Sequence, residues 1–150
     1  TDATGVTILG VGNLASHLAR CCNPAPEDDI IGYVTRNRGI TIHKKDCPNI
    51  LRLRERERLI QVKWGPVQQR TYPVRVVIKA FDREGLLRDI GGEVAKEGVN
   101  IADGHIVTRK KDNTAIITVT LEISRVSQLT RVLEKISRLP NVIEAYRHIG

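Results

Sequence analysis

All three cysteines of the chain and one of its four histidines fall into two tight pairs. Cys21 and Cys22 are adjacent, and His43 and Cys47 follow with H-x3-C spacing. Three thiols and an imidazole are the number and type of ligand that close a tetrahedral zinc site. Adjacent cysteines strain when both ligate one ion, however, and a buried free cysteine also serves as a small hydrophobe, so packing is the alternative. A Cys/His nucleophile pair is a third chemistry, but no orienting carboxylate pattern accompanies it. An odd cysteine count with a vicinal pair makes no disulfide framework, and a reducing, cytoplasmic setting fits it.

The elements that must bring the pairs together lie between and around them. Ile30–Thr35 and Ile40–His43 are β-rich runs flanking Arg36-Asn37-Arg38-Gly39, which predicts a hairpin with a loop of about four residues. Its tip carries Arg36 and Arg38 and its exit Lys44 and Lys45. Four cations on one projection would contact phosphates, though such a cluster is also a solvated turn. Asp46 is expected to cap a helix starting at Cys47-Pro48, with Ile50, Leu51 and Leu53 inward. Leu59–Trp64 reads as one closing strand. If the hairpin returns the chain, the pairs face each other, and zinc would staple a unit of about 60 residues, a size that gains from a staple.

Upstream, Gly10–Ala15 spells G-x-G-x-x-A after an apolar run, the fingerprint of a dinucleotide site. The context fails it. A helix capped by Asn13 would reach only about Arg20 before the prolines of CCNPAP, too short for a crossover unit.

Residues 65–71 carry no periodicity and read as a linker between a first domain over 1–64 and a second over 72–150. The second is regular. Tyr72–Phe81 alternates, with Val74, Val76, Ile78 and Ala80 on one face. Glu84–Glu97 has helical spacing and stops at Gly98; Gly91-Gly92 inside it costs about 1 kcal/mol per glycine, tolerable where another backbone comes close. Asn100–Arg109 and Thr114–Ser124 are strands joined by Lys110–Asn113. Val126–Leu139 is an amphipathic helix stopped by Pro140, and Val142–Ile149 a last strand. The order βαββαβ predicts a ferredoxin-like plait, four antiparallel strands with two helices on one face, in an α+β chain. Its Asp82–Leu87 turn offers free helix amides suited to a carboxylate, or is a plain turn and cap. With five aromatic residues in the chain and no RNA-recognition signature, a base-stacking sheet is not expected.

The composition, 41% hydrophobic and 27% charged, is that of a globular protein. No run has the length of a membrane span and no signal peptide opens the chain. The formal charge of +7 favours polyanionic partners. A start at Thr1 and the lack of Met read as a piece of a longer protein.

The run DREGLLRDI from Asp82 with Gly98-Val99-Asn100-Ile101 resembles ACT domains. LARCCNPAPEDDIIGYVTRNRGITIHKKDCPN, from Leu18, resembles the zinc-finger-like, or ribosome-intersubunit, domain of long bacterial RelA/SpoT-type (p)ppGpp synthetase/hydrolases, the GTP pyrophosphokinases of the stringent response. The two together resemble the C-terminal end of those enzymes. The resemblance implies a regulatory region that is not itself an enzyme, acting on hydrolase and synthetase domains upstream. It also implies contact with ribosomal RNA and A-site tRNA. The family's ligand positions fall on Cys21, Cys22, His43 and Cys47, which makes structural zinc an expectation. For the ACT half it implies an amino-acid site at Asp82, Gly85, Leu86, Leu87, Asn100 and Ile101, often at a homodimer interface and suited to branched-chain ligands. Ribosome contact and amino-acid sensing are thus the two functions to separate.

Overall fold

The computed structural model describes residues 5–8, 15–66 and 69–149. They form two compact units, Thr1–Arg70 with the last two residues, and Thr71–His148. Residues 10–14 of the glycine motif lie outside the described residues.

In the first unit short strands surround one hairpin. The elements are β1 (Val6–Ile8), β2 (Ser16–Leu18), β3 (Ile30–Val34), β4 (Ile40–Lys44), α1 (Pro48–Leu51), a 3-10 turn (Arg56–Arg58), β5 (Leu59–Ile60) and β6 (Val62–Trp64). The hairpin forms as the alternation predicts, β3 pairing antiparallel with β4 from Ile30↔Lys44 to Val34↔Ile40. Parallel β2 flanks β4 and antiparallel β5 flanks β3, giving the order β2-β4-β3-β5. Ser16–Leu18 is therefore strand, not part of the short helix that Asn13 could have capped. Long-range pairing overrides the local pattern: Ile40 N–H donates to Ala15 O at 2.9 Å and Ala19 N–H to Ile42 O at 2.8 Å. Gly39, at φ +75°, permits that approach, since a Cβ there would lie 2.2 Å from Ala15 O.

The expected closing strand is broken at Gln61. Leu59 and Ile60 pair with Tyr33 and Gly32, whereas Val62–Trp64 leave that sheet and pair antiparallel with β1. Val6, Ile30, Ile40, Ile42 and Val62 form the core beneath, and Ile60 and Trp64 pack against it. The N-cap of α1 is Cys47, not Asp46, and Leu51 is 65% exposed rather than inward. Asp46 instead meets the Lys44 ammonium at 3.4 Å.

The second unit has β7 (Tyr72–Phe81), α2 (Leu86–Lys96), β8 (Asn100–Arg109), β9 (Thr114–Ile123), α3 (Val126–Ser137) and β10 (Val142–Arg147). The sheet is antiparallel throughout, ordered β10-β7-β9-β8. Along β9, Ala115, Ile117, Val119, Leu121 and Ile123 are buried in alternation, the signature of a sheet covered on one face. Leu86, Ile90 and Val94 of α2 and Leu129, Val132 and Ile136 of α3 are buried at helical spacing. This is the predicted plait. Gly91 and Gly92 differ from expectation, since among the described residues a Cβ on either would meet nothing within 4 Å beyond its own helix. Every residue of the edge strand β8 is exposed, Ile101, Ile106 and Val107 included. No described helix is long and apolar enough to cross a membrane.

Candidate metal centre

Four separate backbone positions deliver the four ligands. Cys21 and Cys22 lie in the turn after β2, where Asn23 N–H closes on Ala19 O at 3.0 Å with Asn23 at φ 46°. His43 is supplied by β4, opposite Ile31. Cys47 follows the turn after β4, its N–H donating to Lys44 O at 3.1 Å and its carbonyl accepting from Ile50 and Leu51. Sulfur and ring nitrogen atoms of all four lie within 4.8 Å of one another. Cys21 Sγ stands 3.4 Å from His43 Nδ1 and 3.5 Å from Cys47 Sγ, and Cys22 Sγ lies 3.9 Å from His43 Nδ1. A tetrahedron with Zn–S of ~2.3 Å and Zn–N of ~2.0–2.1 Å has ligand–ligand edges of about 3.5–3.8 Å. The cluster thus has the size and donor set of a Cys3His zinc site, with His43 offering Nδ1.

The surroundings suit a closed structural site. Cys22 and Cys47 are fully buried with Ala19 and Ile50, and Cys21, Ile31 and Leu59 pack around them. Lys44 N–H donates to Cys22 Sγ at 3.3 Å, a bond that favours a thiolate. All three cysteines are free of disulfides. Burial pushes the Cys22 thiol far above the ordinary thiol range and lowers the His43 imidazole. Left to themselves both would be neutral, and a divalent cation inverts that preference for the thiols. With four protein ligands and no open position, such a site holds a fold together rather than activating water.

The structure divides the four hairpin cations. Arg36 and Arg38 are exposed at the tip, which Thr35 braces: its N–H and Oγ1 donate to Gly39 O at 2.8 and 2.7 Å, and Oγ1 accepts from Arg38 N–H at 2.9 Å. Lys44 and Lys45 lie at the hairpin's other end, lining a cleft with Glu27, Asp28, Asp29 and Asp46. Lys44 is only 8% exposed. A strand's alternation puts Lys44 on the inward face of β4, after Ile40 and Ile42, which its charge had obscured. A cation not singled out from sequence sits beside the tip. Arg58 donates through Nη1 to Val34 O at 3.1 Å, with its Nε held 2.8 Å from Glu55 Oε2. The i,i+3 spacing of Glu55 and Arg58 was the available signal.

In the second unit the expected amino-acid site is split. Gly85 caps α2 at φ 80°, Arg83 is clamped by Asp89 at 2.8 Å and by Pro140 O at 3.1 Å, and Asp82 N–H donates to Asn113 O at 2.8 Å. Leu86 is buried and Leu87 exposed. The strand register puts Phe81 beside Thr114 and Arg109, but Pro73 beside Glu122 and Asn100. Asn100 and Ile101 thus lie at the opposite end of the sheet from the Asp82–Leu87 turn, about 25 Å along the strands. One copy of the chain does not bring them together.

Comparison with known proteins agrees with both halves. The RelA/SpoT RIS domain model matches residues 6–65 and the ACT domain model residues 68–147. The chain is 42% identical over 99% of its length to the GTP pyrophosphokinase of Escherichia coli K12, and 35% identical over 98% to the bifunctional (p)ppGpp synthase/hydrolase RelA of Mycobacterium tuberculosis. It spans 20% of the length of each. The ACT domain crystal structure from the GTP pyrophosphokinase of Chlorobium tepidum aligns with 52% of this chain and 99% of that one, at 22% identity and a TM-score of 0.44. The catalytic domains of those enzymes are not among the matched segments. With a RIS domain followed by an ACT domain over nearly its whole length, the chain belongs to the RelA/SpoT family as part of its C-terminal regulatory region.

Proposed function

We propose that this region contacts ribosomal RNA and A-site tRNA in the cytoplasm and relays that contact to hydrolase and synthetase domains upstream in the parent protein. The observation that carries the reading is the pairing of a hydrogen-bond-braced cationic tip with a side-chain cluster at the hairpin's other end. Arg36 and Arg38 project from a braced turn. His43 of the same hairpin is tied to Cys21, Cys22 and Cys47. Zinc held by those four residues would fix the hairpin, and the exposed guanidiniums would meet phosphates. Lys45, exposed at the far end, makes a second contact, while Lys44 serves the fold through Asp46. Charge reversal at Arg36 and Arg38 tests the reading. It should abolish cosedimentation with ribosomes carrying uncharged tRNA, and wild-type binding should fall steeply with salt. Unchanged association would refute it.

The second reading, a branched-chain amino-acid sensor formed by two copies, rests on the split site and the bare edge. An antiparallel pair of β8 strands centred on Ile106 would set each Asp103 against an Arg109 and bring each Asp82–Leu87 turn toward the other copy's Asn100 and Ile101. The exposed Leu87, with nothing among the described residues of other elements within 4 Å of where a Gly91 Cβ would stand, leaves that flank open to a partner. Calorimetry with valine, isoleucine and leucine, alongside sedimentation, tests it: no heat at millimolar ligand from a chain that stays monomeric would exclude this site.

A further inference from the structure

We infer that Arg58 is the anchored arm of a three-guanidinium grip, with Arg36 and Arg38, for the phosphodiester backbone of RNA. The inference rests on the ribosome-contacting reading and extends it to a segment, residues 52–58, outside the hairpin. β5 pairs Leu59 with Tyr33, so the next residue back, Arg58, comes level with Val34 at the base of the tip. Its Nη1 donates to Val34 O at 3.1 Å and its Nε meets Glu55 Oε2 at 2.8 Å, which fixes the plane of the guanidinium while the side chain stays 25% exposed. Thr35, adjacent to Val34, fixes the tip that carries Arg36 and Arg38. Three arginines on neighbouring, braced backbone therefore share one end of the unit.

The charge around them is asymmetric. Residues 35–39 contain no carboxylate. Glu27, Asp28, Asp29 and Asp46 gather around Lys44 and Lys45 at the hairpin's opposite end. The acids on Arg58's own segment are Glu55, which is the brace, and Glu57; Arg56 turns away and donates to Ile50 O at 3.3 Å. A planar fork of donors matches phosphate oxygens in pairs, as a lysine ammonium does not. An arginine already held in place loses less freedom on binding than a loose one. Arg36, Asn37 and Arg38 form an exposed ridge rather than an enclosed pocket, which suits a polymer backbone over a small free anion.

The test uses the whole chain and purified bacterial ribosomes, with affinity measured between about 50 and 200 mM salt. Arg58→Gln should weaken binding about tenfold at the low end and flatten the slope of log K against log salt by about 0.7–0.9, the share of one phosphate. Arg58→Lys should keep the slope and lose part of the affinity. Glu55→Asp, which retains the charge but is too short to keep the brace on Arg58, should weaken binding about threefold with the slope unchanged. If Arg58→Gln binds like wild type while Arg36→Glu is weakened, the inference fails and the ribosome reading stands. If the wild-type chain does not bind ribosomes at all, that reading fails first. Should Arg58→Gln disturb the fold of the first unit in its amide NMR spectrum, the other two variants decide. Wild-type affinity in both overturns the inference, and lowered affinity at constant slope supports it.

Discussion

The two units reach a fold by different routes. The first has strands of two to five residues and a four-residue helix; the second has ten-residue strands at β7, β8 and β9 and helices of eleven and twelve. In the second, alternation and helical spacing make a continuous core. In the first, apolar burial is divided between a strand core and a cysteine-lined cluster, and the contacts tying Cys21 and Cys22 to His43 and Cys47 join residues 21 to 26 apart in sequence. Periodicity suffices for one unit, while the other leans on a few convergent side chains. A domain of about 60 residues has little apolar surplus, so a cross-link of this kind decides its stability.

Breaking the cluster should have the largest effect. If the cluster holds zinc as proposed, Cys47→Ser, or a strong chelator, should remove it and cost the first unit on the order of 5 kcal/mol, most of a small domain's margin. Amides of residues 15–64 would then exchange freely while those of β7–β10 stay protected. Elemental analysis and hydrogen exchange together measure this, and a metal-free first unit that remains protected would erase the contrast between the units. Next in size is Gly39→Ala. A Cβ there meets Ala15 O at 2.2 Å with φ at +75°, and a loss of about 2–4 kcal/mol in the melting of the first unit is expected. The matching change in the second unit has the opposite sign. Gly91→Ala adds a methyl group to a helix where nothing lies within 4 Å, and should stabilise the monomer by about 0.5–1 kcal/mol in denaturant titrations.

The smallest effect is one of pH. Hydrogen bonds from Lys135 and Arg131, at 2.7 and 3.2 Å, hold the Glu97 carboxyl below its usual pKa of 4.5. Its stabilisation is therefore full above that value and disappears as pH falls through the depressed one. Glu97→Gln should flatten this part of the second unit's acid sensitivity in melts across that window. Zinc held by the cluster would make the first unit's acid sensitivity follow metal release instead, because the ligands must be deprotonated to bind. A shared acid transition insensitive to zinc would count against separate mechanisms.

What was legible in the sequence follows the same division. The βαββαβ order could be read because ten-residue strands and eleven-residue helices repeat their period often enough to be unmistakable. In the first unit the hairpin and the four clustering residues were legible, the one from its turn residues and the others from side-chain type and resemblance. Ser16–Leu18 was not, since three residues carry no period and the strand exists through pairing with β4. The burial of Lys44, the capping role of Cys47 and the break at Gln61 likewise depend on partners distant in sequence. The residues expected to form an ACT ligand site could be named one by one, but their separation became visible only with the register of β7, β9 and β8.

That break at Gln61 bears on how the protein is made. β1 pairs with β6, Val6 opposite Trp64, and among the described residues it pairs with no other strand. As this segment leaves the exit tunnel, β1 must wait for the last strand of the unit, a delay of seconds at about 5–20 residues per second. Through that interval β1 lacks the strand that it pairs with in the finished unit. A substitution that slows docking of β6 would therefore leave the nascent first unit open for longer, even if the finished protein were equally stable.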